Sequence, residues 1–87
     1  MTTTTLTLGP HETPVDALAR QLAEAAPGDR IVYYTGPVAR HAYATAARIH
    51  HEAGRCLLAQ RPVTGDTRAA RDFEYIAIKR RQDGGAQ

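Results

Sequence analysis

Four side chains in the middle of the chain carry the most suggestive chemistry. Arg40, Arg48 and His51, with Ala44 among them, follow at steps of four, four and three, and Arg55 stands just beyond. On a helix this spacing draws one stripe along one side. Arginine's planar, permanently charged fork suits phosphate oxygens and guanine edges, and a small residue within the stripe lets a helix approach a surface closely. The same stripe would also serve as the ordinary solvated side of a helix buried on its other face. A second group, His41, His50, His51, Glu52 and Cys56, invites a metal reading, but no His-Glu-x-x-His or paired Cys-x-x-Cys spacing is present. His50 and His51 are adjacent and would point roughly 100° apart on a helix. No metal or other cofactor is expected. Cys56 opens an apolar run and reads as a buried structural thiol. Thr35-Gly-Pro lacks the later glycines and lysine of a phosphate loop. No catalytic residues are assigned, and an enzyme is not expected.

The elements that must position the stripe are legible from caps and periodicity. From Thr35 to Gly54 the chain reads as helix, with Thr35 as N-cap, Pro37 in the first turn and Gly54 in the left-handed position past the end. Val38, Ala42, Ala46, Ile49 and Ala53, widened by Tyr43, would form the inward face. The stretch is compatible with one helix, or with two short ones if Thr45 caps the second. An earlier helix starts at Thr13-Pro14-Val15-Asp16, presents Val15, Leu18, Ala19, Leu22 and Ala26 to the core, and ends at Pro27-Gly28. Its exposed side carries Asp16 and Glu24. Arg30–Tyr34, Arg55–Arg61 and Asp72–Arg80 have strand composition. The last alternates, with Phe73, Tyr75 and Ala77 on one face and Ile76 and Ile78 on the other. A polar loop from Pro62 to Arg71, with Gly65-Asp66 as its turn, joins the last two strands. Residues 1–12 read as a tail that docks or frays, 13–81 as the domain, and 82–87 as a turn-forming, disordered end.

Length and charge narrow the function. Eighty-seven residues make one small domain. Ile31–Val32, Leu57–Leu58, Ile76–Ile78, Leu18 and Leu22 are expected to supply most of the burial. Residues 1–29 hold one base against four acids, net −3, and residues 30–87 hold ten bases against five acids, net +5. Positive charge therefore gathers around the central stretch, which favours a nucleic-acid partner. A single cysteine allows no internal disulfide and suits a reducing, intracellular setting. No segment has the length of a membrane span, and the N-terminus lacks the regions of a signal peptide. A cytoplasmic location without a membrane partner is the expectation.

The resulting order is helix, strand, one long or two short helices, strand, basic loop, strand. In that order the chain resembles a winged helix-turn-helix domain over about Thr13 to Arg81. The hairpin strands, Gln60-Arg61 and then Phe73 to Ile78, are similar to those of small phage and prophage proteins. The resemblance implies a small α+β fold with a three-stranded antiparallel sheet. It also implies a DNA-binding role in transcription regulation, in a bacterial or phage setting. Thr45–Ala53 would be the recognition helix, bearing Arg48, His50 and His51, with Arg48 contacting guanine and Arg40 and His51 flanking it. Arg61, Arg68 and Arg71 would form a basic wing, and with Lys79, Arg80 and Arg55 would complete the contact to double-stranded DNA. So few phosphate contacts imply a homodimer or a protein partner. The rival reading is a phage-type interaction module, an inhibitor or adaptor of a host protein that does not bind DNA.

Overall fold

The computed structural model describes residues 2–63 and 72–81. Six elements follow one another: β1 (Thr3–Thr5), α1 (Pro14–Glu24), β2 (Arg30–Gly36), α2 (His41–Glu52), β3 (Cys56–Pro62) and β4 (Phe73–Lys79). The strands form one sheet in the order β1-β2-β4-β3. β1 runs parallel to β2, while β4 runs antiparallel to both β2 and β3. The two helices pack side by side on one face, giving two layers.

The α+β class stands, but the expected three-stranded antiparallel sheet is a four-stranded mixed one. The added strand comes from the N-terminal segment. Threonines there bury little, so side-chain patterning is silent about them, yet their backbone still pairs. Thr4 lies opposite Ile31, Leu6 N–H donates to the Val32 carbonyl at 2.8 Å, and Arg30 N–H donates to the Thr2 carbonyl at 2.8 Å. α1 holds this arm from the side. Gln21 accepts from Thr7 N–H at 2.8 Å, and Arg20 reaches both the Thr7 carbonyl at 2.9 Å and the Glu12 carboxylate at 2.9 and 3.0 Å.

α1 begins as expected: Thr13 Oγ1 accepts from Asp16 N–H at 3.1 Å, with Pro14 in the first turn. It ends three residues before Pro27, capped by Ala25. Its buried residues are Ala17, Leu18 and Leu22, which meet Ile31, Tyr33, Ala46, Ala47, Cys56 and Ala77 in the core. Leu57 and Leu58, expected to be buried, are instead 48% and 38% exposed. β3 is an edge strand, so each leucine has a neighbouring strand on one side only. Val32 and Ile76 lie opposite one another on the two middle strands and are buried.

One irregularity shapes the helix side of the sheet. The β2–β4 register shifts between Val32 and Tyr34, leaving Tyr33 as an extra residue. Such a bulge interrupts the alternation of strand faces, and both Tyr33 and Tyr34 join the helix-side core. They meet Tyr75 at ring-centroid distances of 6.2 and 6.4 Å, and Tyr34 meets Tyr43 of α2 at 5.8 Å. Gly36 lies under Tyr34, where a Cβ would come within 2.9 Å of the ring.

Two outcomes follow from this packing. Leu18 is fully buried, so Leu18→Ala should lower unfolding free energy by about 2–5 kcal/mol, read as a shifted urea midpoint. For the N-terminal arm, Arg20 foremost and then Gly9 N–H hold the Glu12 carboxyl down from 4.5 to about 2. A depressed acid stabilises the fold above its unfolded pKa, and that stabilisation is lost as pH falls through the folded value. The Gly9 amide shift should therefore titrate near pH 2; a midpoint at 4.5 would show that the Glu12 contacts do not form in solution.

Candidate nucleic-acid interface

The basic stripe depends on where α2 begins and how it is rotated. The open question of one helix or two resolves to a single helix, His41–Glu52, preceded by Arg40 at the N-cap without a side-chain capping bond. Thr35 and Gly36 belong to β2, so the expected N-cap at Thr35 and first turn at Pro37 are not formed. The Tyr75 hydroxyl donates to the Pro37 carbonyl at 3.0 Å and pins that corner.

The inward face of α2 is Tyr43, Ala46, Ala47 and His50. The expected face included Val38, Ala42, Ile49 and Ala53, yet Val38 is 74% exposed, Ile49 is 41% exposed, and Ala42 and Ala53 are also exposed. Relative to the expectation the helix is turned by roughly a quarter of a revolution. Two contacts account for the turn. The tyrosine cluster draws Tyr43 inward, and a histidine takes a core position because both ring nitrogens find partners. His50 Nε2–H donates to the Val15 carbonyl at 3.0 Å, and Nδ1 accepts from Arg55 Nη1 at 3.1 Å. Arginine can only donate, which fixes this tautomer.

The end of α2 follows the expected glycine chemistry. Gly54 has φ 79°, its N–H donates to the His51 carbonyl at 3.0 Å, and Arg55 N–H donates to the His50 carbonyl at 2.9 Å. This paired closure is the Schellman arrangement, and it turns Arg55 back toward His50. His51 Nδ1–H donates to the Cys56 carbonyl at 3.0 Å, leaving the rest of its ring exposed. Burial pushes the Cys56 thiol up, in keeping with a structural role.

The nine residues singled out for DNA contact divide into separate places. Arg40 is exposed at the N-cap of α2, and Arg48 is exposed on the helix's outer side. His51, Arg55, Lys79 and Arg80 gather where α2 ends and β4 finishes: Arg80 N–H donates to the Arg55 carbonyl at 3.1 Å, and Cys56 lies opposite Lys79. Lys79 Nζ donates to the Leu22 carbonyl, capping α1. Arg61 stands across from Glu74 on the sheet face away from the helices and is paired with it. Arg68 and Arg71, the loop and its Gly65-Asp66 turn lie outside the described residues.

Two roles escaped the sequence reading. His50, expected on the recognition helix beside Arg48 and His51, is instead buried at 2% exposure, because adjacent helical residues point roughly 100° apart and its ring nitrogens find partners inside. Lys79 as a cap on a helix 57 residues away had no local signal. Among the described residues, no three His, Cys, Asp or Glu side chains come together as a metal site, and no helix is long and apolar enough to cross a membrane. Comparison with protein-family models, curated proteins and solved structures returned no match.

His50→Ala should cost about 2–4 kcal/mol in unfolding free energy, because it opens a cavity and removes the ring's hydrogen bonds to the Val15 carbonyl and Arg55. A urea midpoint within error of the parent protein would mean that the ring is not held as described.

Proposed function

We propose that this chain binds double-stranded DNA as a small transcriptional regulator of bacterial or phage type. In this reading the outer side of α2 lies along the duplex and the β3–β4 hairpin acts as a wing. The observation that carries the reading is the exposed pair of Arg40, at the N-cap of α2, and Arg48, within that helix, whose only carboxylate is Glu52. Neither arginine takes part in the two ion pairs of the described residues, Arg20–Glu12 and Arg61–Glu74. α2 has 12 residues and is about 18 Å long, with a small-residue surface, dimensions that suit a major groove about 12 Å wide. The antiparallel β2-β4-β3 portion of the sheet supports the winged reading. α2 departs from it in being the one helix between β2 and β3, so it would contact the groove without a preceding helix to brace it.

A second reading has its own observation. β3 leaves Leu57 and Leu58 exposed along an edge strand that carries no charge from Cys56 to Gln60. Such an edge favours a protein partner, whether a second copy or a host protein.

Fluorescence polarisation against random duplex DNA at several salt concentrations separates the two. Binding should weaken steeply with salt, and Arg40→Ala/Arg48→Ala should reduce the log–log salt slope by about 1.8, the share of two phosphate contacts. Absence of binding at low salt by folded protein would discard the DNA reading and leave the interaction module.

A further inference from the structure

We propose that a second copy of this chain docks along the free edge of β3, the two strands pairing antiparallel about a two-fold axis at Ala59. The proposal deepens the reading of that edge as a protein-docking surface and rests on it. Among the described residues β3 has one neighbour, β4, and Cys56–Pro62 pair with it without a register shift. From Cys56 to Gln60 the strand carries none of the charges, prolines or bulges that guard natural edges.

Backbone alternation decides which groups stand free. At one end of β3 the Arg55 carbonyl accepts from Arg80 N–H at 3.1 Å, and at the other Val63 N–H donates to the Asp72 carbonyl at 3.0 Å. Successive residues of a strand direct their N–H and C=O groups to opposite sides, so Leu57, Ala59 and Arg61 bond to β4 while Cys56, Leu58, Gln60 and Pro62 face outward. Not every outward group is available. The Cys56 carbonyl already accepts from His51 Nδ1–H at 3.0 Å, and Pro62 has no N–H.

This pattern complements itself in one register. An axis at Ala59 sets Leu58 against Gln60 of the second copy and Cys56 against its Pro62. Leu58 and Gln60 then exchange N–H···O bonds, Cys56 N–H donates to the Pro62 carbonyl, and the missing proline donor falls opposite the acceptor that His51 has filled. An axis at Gln60 would set Pro62 against the Leu58 carbonyl and leave that carbonyl without a donor. An axis at Leu58 would aim the Gln60 N–H at the occupied Cys56 carbonyl.

Side chains and charge agree with the same register. Ala59 is exposed and small where the copies face each other, and Leu57 meets the methylene stem of Arg61 of the second copy. The Arg61 guanidinium keeps Glu74 as its partner, so no unpaired like charges are brought together. The axis stands perpendicular to the sheet, which keeps both helical layers on one face and turns both Arg48 side chains the same way. One strand pair is smaller than the roughly 1,600 Å² of a stable interface, so the association is weak and concentration-dependent.

The test is sedimentation velocity of the full chain over a concentration series without DNA, which keeps a failed dimer distinct from failed DNA binding. The mean mass should rise from the 9.5 kDa monomer toward twice that value. Ala59→Lys sets like charges face to face and should weaken association at least tenfold. Gln60→Pro removes an outward N–H that β4 does not use, and should do the same. Oxidised glutathione reads the register: Ala59→Cys should yield a disulfide-linked dimer, because facing residues outside the hydrogen-bonded pairs bring their Cα atoms within disulfide reach, whereas Leu57→Cys should not. A folded monomer even at millimolar concentration would overturn the proposal, as would unchanged association in the folded variants or a cross-link at position 57 in place of 59. If the chain stays monomeric, protection of the Leu58 and Gln60 amides from exchange in bacterial cell extract would overturn the second copy and assign the edge to a different protein. Rapid exchange there as well would discard the protein-docking reading with it.

Discussion

The last strand of the chain lies between two earlier ones, and the structure depends on that insertion. β2 and β3 never pair with each other; each pairs with β4. Without β4 the sheet is a short parallel pair and a lone strand. β4 also places Ala77 in the core and Tyr75 against the β2 tyrosines. At its ends it fixes two distant points: Tyr75 holds the Pro37 corner that precedes α2, and Lys79 caps α1. The two helices are thus referenced to the same strand.

The second consequence is electrostatic. Turning α2 so that His50 faces inward uses Arg55 as an internal partner, and Lys79 is likewise spent in part on a helix terminus. The candidate cations that the sequence gathers after Asp29 divide, among the described residues, into three populations: Arg40 at the start of α2 with Arg48 on its outer side, a cluster at the helix ends, and Arg61 paired across the sheet with Glu74. A count of basic residues therefore overstates the continuous surface available to a polyanion.

Local chemistry made much of the fold legible. Thr13, Pro14 and Asp16 marked the start of α1, Gly54 marked the end of α2, β-branched and aromatic runs located β2 and β4, and the apolar run opening at Cys56 located β3, because caps and strand composition act within a few residues. The start of α2 was misplaced because Thr35 and Pro37 satisfy the rules of a helix start, while a tyrosine from 38 residues away holds the corner extended. β1 was invisible because a threonine run contributes backbone pairing and almost no burial.

What the sequence determined by itself was therefore the α+β class, most element boundaries, the concentration of positive charge after Asp29, and the candidate cations. Only the tertiary structure decided the strand order, the fourth strand, the rotation of α2 and which cations cluster at the helix ends. The division has one physical reason. Capping and periodicity are set by neighbours within a few residues, whereas the bulge at Tyr33, the burial of His50 and the placement of Lys79 over Leu22 arise from partners brought together only when β4 closes the sheet.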